Sequence, residues 1–225
     1  MKEEKGEGII LHSLEFKEQE RIVSIFTPHS GIISLIVKQL SKKNLTLVNL
    51  TTPFCQTEFI YRKGKSDLYR FIDGTILDLH LPLRQSLPHL IYGGKMLQAI
   101  RSTQFPGKPA PFLYQLLLSY IKKLPIYVKP ESLYSSFQLK LLKHEGLLHL
   151  TQTCNQCKKN PPLCLVYGES FCSTCSPSFS TAFTTEEWNQ LIIFTHSRKF
   201  DYITDAPLES AFQKKIENLF QMSLK

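Results

Sequence analysis

No run of about eighteen apolar residues, the length a bilayer-spanning helix needs, occurs in this 225-residue chain. The opening MKEEKGEG is also too acidic and too polar for a secretory signal. Both absences point to a soluble, intracellular protein that makes no use of a membrane. Seven histidines are present, but no H-E-x-x-H and no pairing of a histidine with a Ser or Cys nucleophile can be read from the chain. Gly64-Lys65-Ser66 ends like a phosphate-cradling loop, yet Phe59 stands where that loop needs its first glycine, and a strand pattern follows where it needs a helix. A nucleoside-triphosphate site is therefore excluded, and an enzyme reading has no catalytic constellation to stand on.

What is abundant is positive charge, with 27 Lys and Arg against 19 Asp and Glu, a net of +8. A basic balance of this size suits a polyanionic partner such as nucleic acid. The surplus is unevenly placed. Residues 1–80 net +1, residues 81–150 net +7 and residues 151–225 net zero. Within the first part, residues 1–20 net −3 while residues 21–65 net +6.

Residues 8–13, 20–27 and 32–38 alternate as strands, with Pro28-His29-Ser30-Gly31 as a turn. Two more strands, residues 54–61 and 68–79, flank a turn at Lys63-Gly64-Lys65-Ser66. Five short strands in about 80 residues fit a small closed barrel, with the oligonucleotide-binding (OB) fold leading and an SH3-like barrel as the alternative. Arg62, Lys63, Lys65 and Arg70 gather near the hairpin turn beside Phe59, Tyr61, Tyr69 and Phe71. Cations that track a phosphate backbone beside rings that stack on bases are what a single-strand surface requires. A solvated hairpin tip over an aromatic core has the same composition.

After His80-Leu81-Pro82 the period changes to that of helices: residues 83–102, 111–124, 130–145, 184–197 and 207–224. Pro88 and Gly93-Gly94 predict a kink in the first of these or a close approach by another element. Thr184 and Glu187 form a capping-box pair, and the single tryptophan, Trp188, is a core residue. The fold class is thus α+β and multidomain. A five-stranded OB barrel over residues 1–80 precedes an all-helical domain over residues 81–225, which carries an inserted zinc knuckle or ribbon at about residues 150–178.

Four of the six cysteines carry that insertion. Cys154-x-x-Cys157 and Cys172-x-x-Cys175 are separated by fourteen residues, a spacing that lets four thiolates close on one zinc ion. A complete sulfur set leaves no open position for water, so the zinc is expected to be structural. Cys164 and His149 lie near enough to compete as ligands, and Cys55 sits in a strand as a core residue.

Barrel, helical body and cysteine knuckles, in that order, resemble the bacterial DNA repair protein RecO family. GIILHS at 8–13, RIVSIFT at 21–27 with Gly31, TPF at 52–54 and YRKGKSDLY at 61–69 look like that family's first domain. Phe137-Gln138-Leu139-Lys140-Leu141-Leu142, Gly146 and the two cysteine pairs look like its helical domain. The resemblance implies a recombination mediator of the RecF pathway with no catalysis of its own. Such a protein binds single- and double-stranded DNA, anneals complementary strands, engages RecR and single-strand DNA-binding protein, and helps RecA load on gapped DNA. It implies a cytoplasmic, nucleoid-associated location. On this reading Lys38, Lys42, Lys43, Arg62, Lys63, Lys65 and Arg70 contact DNA. Lys122, Lys123, Lys129, Lys140 and Lys143 offer a basic face to an acidic peptide such as the tail of single-strand DNA-binding protein. Two rival readings are a zinc-ribbon RNA-binding or transcription accessory protein and a zinc hydrolase.

Overall fold

Alternation of inward and outward residues builds the first part of the chain. In β3 (Gly31–Val37) Ile33, Leu35 and Val37 are buried, and in β4 (Gln56–Arg62) Thr57, Phe59 and Tyr61 are buried. These side chains meet Ile10, Val23, Ile25 and Cys55 in one cluster. The structure, a computed structural model, describes residues 3–38, 44–64, 67–206 and 208–223.

With β1 (Glu3–Lys17), β2 (Glu20–Thr27) and β5 (Leu68–Asp78), the strands close into a barrel in the order β1-β2-β3-β5-β4, and β4 pairs back onto β1. All pairs are antiparallel except β3 with β5. This is the expected five-stranded OB-like barrel. The first strand is far longer than residues 8–13. Its first half pairs with β4 from Glu3 opposite Arg62 to Ile9 opposite Gln56, and its second half pairs with β2. A register shift between Ile10 and His12 marks the change of partner, as a bulge that bends one strand into two directions does. A short helix unforeseen in the sequence, α1 (Leu45–Leu50), precedes β4; the Asn44 side chain caps it by accepting from the Leu47 N–H at 3.1 Å. Its Leu47 and Val48 pack on the barrel core.

The compact units divide later than the change of periodicity at residue 80. The first spans Met1–Pro125 and so includes α2 (Leu87–Thr103) and α3 (Pro111–Lys123) with the barrel. Specific hydrogen bonds and one close approach account for this. Tyr114 of α3 donates to Glu7 Oε1 of β1 at 2.8 Å, and Gln56 Nε2 donates to the same oxygen at 2.9 Å. The loop between the helices lies along the β2–β3 turn, where the Gly107 and Ala110 N–H groups donate to the Ser30 and Pro28 carbonyls at 2.9 and 3.0 Å. On α2, Gly93 leaves room for the Phe54 ring, so one of the two paired glycines serves close approach; Pro88 sits in the first turn, where it does not kink the helix.

The second unit, Ile126–Lys225, is built around α4 (Pro130–His144), most of whose residues are buried. α5 (Thr185–His196), α6 (Phe200–Asp205) and α7 (Ser210–Ser223) pack on it. The predicted capping box of Thr184 and Glu187 is present, and Trp188 is buried edge-on to Phe183. Between α4 and α5 lies a three-stranded sheet of β6 (Cys164–Val166), β7 (Glu169–Phe171) and β8 (Thr181–Ala182). Among the described residues no helix is long and apolar enough to cross a membrane.

Gly31 is the most exacting point of the first unit. Its φ is +64°, and a Cβ there would lie 2.3 Å from the Phe105 carbonyl oxygen. Gly31→Ala is expected to destabilise the protein by roughly 2 kcal/mol or more in urea or thermal unfolding, whereas Tyr114→Phe should cost only about 1 kcal/mol.

Candidate nucleic-acid interface and metal centre

The rings and cations of the β4–β5 hairpin separate in the structure. Phe59 and Tyr61 point into the barrel, at 0 % and 3 % exposure, and are core residues. Tyr69 is half-buried, stacked 5.6 Å from Tyr61 with 18° between the rings. Lys63 Nζ lies 5.8 Å from the Tyr69 ring centre. Tyr69 therefore combines a partly accessible face with an adjacent cation, and Phe71 is half-buried beside it in sequence, both packing in part on the barrel core.

The acidic start of the chain arrives on this surface because β1 pairs with β4. Arg62 Nη2 meets Glu3 Oε1 at 2.7 Å, and Lys63 Nζ meets Glu4 Oε2 at 2.9 Å. The Tyr61 hydroxyl donates to the same Glu4 oxygen at 2.8 Å. Burial, followed by this bond, raises the Tyr61 pKa well above the ordinary phenol range. On β3, Lys38 Nζ meets Glu20 Oε1 at 2.8 Å. Such exposed pairs are worth about 1 kcal/mol or less each, so they neutralise without locking. Arg70 is exposed and stands directly across the sheet from Arg62. Like charges in that register repel, and an anion placed between them relieves it. Lys42, Lys43 and Lys65 lie outside the described residues.

The five helix lysines do not share one unit. Lys122 and Lys123, exposed in the last turn of α3, belong to the first unit, and Lys129, Lys140 and Lys143 belong to the second. Lys140 Nζ donates to the Ser197 carbonyl at 2.6 Å, capping the end of α5, and Lys143 donates to His196 Nδ1 at 3.0 Å. Burial, reinforced by Lys143, brings the Lys140 pKa down to about 8. Burial, reinforced by both lysines, also lowers the pKa of His196. A neutral His196 keeps the lone pair that accepts from Lys143.

The four predicted cysteines do come together. The Sγ atoms of Cys154, Cys157, Cys172 and Cys175 all lie within 4.8 Å of one another, with Cys157 and Cys172 3.9 Å apart. Thiolates tetrahedral about a zinc-sized ion stand roughly 3.8 Å apart, so the set fits a metal. Local turns make the knuckles: the Lys158 N–H donates to the Cys154 carbonyl at 2.9 Å, and the Ser176 N–H to the Cys172 carbonyl at 3.0 Å. Without a metal the thiols share their protons unevenly: a hydrogen bond from Thr174, 3.0 Å from Sγ, leads the effects that lower the Cys172 pKa to about 6, while the bond to Cys172 leads those that raise Cys175 to about 12. Burial raises the Cys154 pKa, but N–H groups of Cys157, Cys172 and Gln156 outweigh it and the net shift is downward.

The two competing ligands are elsewhere. Cys164 is buried in β6, and His149 Nδ1 faces Glu169 Oε1 at 3.3 Å. The sheet is fixed to the chain after α4 by Gly168, whose φ is +79° and whose carbonyl accepts from the His149 N–H at 2.8 Å.

A closed five-stranded barrel, followed by helices that carry a four-cysteine centre, defines an α+β protein that joins an OB-like module to a helical part. Residues 1–80 match the family described as Recombination protein O N terminal, and residues 84–225 match Recombination protein O C terminal. The chain belongs to the RecO family, and so to the proteins of DNA repair and recombination. It is 28% identical over 221 residues to the DNA repair protein RecO of Chlamydia trachomatis serovar L2, covering 96% of this chain and 90% of the relative. It is 24% identical over 219 residues to DNA repair protein RecO of Clostridium acetobutylicum, covering 95% and 85%. Among solved structures, an Entamoeba histolytica asparaginyl-tRNA synthetase aligns at 11% identity and a TM-score of 0.30, over 85% of this chain and 42% of that one. That likeness is too slight to bear on the fold.

Metal analysis of the purified protein is expected to find one ion per chain, absent from Cys154→Ser and from Cys172→Ser but retained in Cys164→Ser. Loss of the ion should lower the melting temperature by roughly 10 °C or more.

Proposed function

We propose that the chain is a recombination mediator of the RecF pathway. It binds single- and double-stranded DNA, anneals complementary strands, and acts with RecR and single-strand DNA-binding protein to help RecA load on gapped DNA. It does so in the cytoplasm, at the nucleoid, without catalysis of its own. The observation that carries this reading is the match of both halves of the chain to the RecO family. The closed barrel supports it, because such barrels bind oligonucleotides through grooves lined with cations and rings.

On this reading DNA lies against Lys38, Lys42, Lys43, Arg62, Lys63, Lys65 and Arg70, with Tyr69 as a stacking face. An acidic peptide, the tail of single-strand DNA-binding protein, is taken by the helix lysines, with exposed Lys122 and Lys123 better placed than Lys140, which caps α5. The metal is zinc, which all-thiolate tetrahedral sites favour, and its work is to hold the β6–β8 sheet rather than to activate water.

An annealing assay tests the mediator role. Complementary DNA strands coated with single-strand DNA-binding protein should anneal faster with the protein present and no ATP; no acceleration, together with preferential binding of RNA, would instead favour an RNA-binding accessory role. Charge reversal at Arg62, Lys63 and Lys65 together should weaken single-strand binding and flatten its salt slope by about 0.7 for every phosphate no longer neutralised. Unchanged affinity and slope would remove the hairpin from the DNA path.

A further inference from the structure

Two carbonyls of the loop that enters β4 are gripped by side chains of the segment that leaves β5. His80 Nδ1 lies 3.0 Å from the Phe54 carbonyl oxygen, and Arg84, in the 3-10 helix Leu81–Gln85, donates from Nη2 to the Pro53 carbonyl at 2.9 Å. The backbone is bent on both sides of the grip. φ is +73° at Phe54 and +48° at His80, a region that residues with a side chain keep only when their surroundings hold them there. The Phe54 ring lies in turn against Gly93, so the grip reaches helix α2.

The partner of the His80 ring decides where its proton sits. A carbonyl oxygen only accepts, so Nδ1 carries the hydrogen and Nε2 of the neutral ring is a bare lone pair. Nε2 is buried without a hydrogen-bond partner among the described residues and faces another acceptor, Asp78 Oδ2, at 3.6 Å. Asp78 is committed to the backbone, since its Oδ1 accepts the His80 N–H at 2.8 Å. A second proton, on Nε2, therefore charges a side chain that is 4 % exposed, with its one carboxylate beyond hydrogen-bond reach. Asp78 of β5 favours that proton and Lys122 of α3 opposes it. Cys55, whose thiol burial pushes up to about 11, brings no charge, and Arg84 is bonded to Pro53. Burial is the largest effect, and the His80 pKa is lowered.

We propose that His80 is a proton-operated latch between the barrel and helix α2: with one proton, on Nδ1, it holds the Phe54 loop closed, and a second proton, on Nε2, releases it. The charged ring regains solvation by leaving its pocket, and in leaving it gives up the Phe54 carbonyl. Phe54 then loses the bond that holds its left-handed backbone, and its ring loses the fixed seat on Gly93. Because the unfolded chain takes this proton at the ordinary value of 6.5 and the folded chain at a lower pH, the stability supplied by the latch is whole above 6.5 and is lost as pH falls below it.

The test uses His80→Asn and Asp78→Asn in the full-length chain. Asparagine tolerates left-handed backbone and carries its amide nitrogen where histidine carries Nδ1, so His80→Asn keeps the donor to Phe54 and removes the titrating nitrogen. Asp78→Asn still accepts the His80 N–H and adds an amide donor for the Nε2 lone pair, which holds the second proton off. In ring-nitrogen NMR spectra His80 is expected in the Nδ1–H form at neutral pH, with a midpoint below 6.5 that Asp78→Asn lowers further. The Phe54 ring and Gly93 amide signals should follow that midpoint in the parent and show no such step in His80→Asn. In urea the parent should lose stability relative to His80→Asn as pH is taken from about 7 to about 5. His12 and His196, whose pKa values are also lowered, titrate in both proteins and drop out of that comparison. A ring charged at neutral pH, an Nε2–H form, equal pH dependence in the two proteins, or a parent that gains on His80→Asn in acid would each overturn the latch. So would Phe54 and Gly93 signals that ignore the His80 midpoint, or an Asp78→Asn midpoint at or above the parent's. If His80→Asn does not fold, the two midpoints and the Phe54 and Gly93 signals of the parent and Asp78→Asn decide the matter by the same outcomes.

Discussion

The barrel closes because β1 pairs twice. Fifteen residues long, it lies against β4 with its first half and β2 with its second, and the bulge near Leu11 turns it from one to the other. Without the first of these pairings β4 and β1 would each present an open edge, and the buried set of Ile10, Val23, Ile25, Leu35 and Phe59 would lie on a sheet open to water rather than inside a cylinder. Closure also fixes the electrostatics. Register brings Glu3 opposite Arg62 and Glu4 opposite Tyr61, so the most acidic stretch of the chain is zipped onto the most basic hairpin as a condition of folding. The same strand supplies Glu7, whose carboxylate takes hydrogen bonds from Gln56 and Tyr114 and so ties helix α3 to the barrel.

What can be read from the sequence divides along the range of the interactions. Strands with clean alternation, such as Gly31–Val37, and the capped helix at Thr184 announce themselves because their cause is local. The cysteine centre is legible for the same reason: two tight turns place each pair, and only the closure between pairs is long-range. The acidic half of β1 is not legible. Its Glu-Glu-Lys-Gly-Glu run has neither apolar alternation nor high strand propensity, and it is a strand because β4 lies beside it, some fifty residues away in sequence. The inclusion of α2 and α3 in the first unit is hidden likewise. The change of period at residue 80 is real, but Gly31, Tyr114 and Gly93 decide which body the helices join, and each acts through a neighbour distant in sequence.

The candidate site is legible in composition and not in availability. Aromatic residues do gather near a basic turn, yet alternation sends Phe59 and Tyr61 inward and leaves Tyr69 half-buried at the surface. Charge counts treat every lysine as equivalent. In the fold, Lys38, Arg62 and Lys63 face carboxylates, Arg70 faces Arg62, and Lys122 and Lys123 stand exposed at a helix end. A net charge of +8 thus describes the attraction felt by a polyanion at a distance, while affinity at close range depends on which of these groups can change partners.

Lys140 shows how far position alters the meaning of a cation. Desolvation lowers its pKa to about 8, so the folded state holds its proton less tightly than the unfolded chain does. A depressed lysine pKa of this kind costs stability at neutral pH, and the cost shrinks as pH rises from about 8 toward the ordinary lysine value of 10.5 and the unfolded chain also becomes neutral. The bond to the Ser197 carbonyl offsets part of that cost by satisfying the negative end of α5, where a positive charge is favoured. Lys143 and His196 stand beside it, and Lys143 adds repulsion rather than relief. The Lys140 charge is therefore held for a structural purpose, and the burial that makes it costly is the same burial that keeps it against the Ser197 carbonyl.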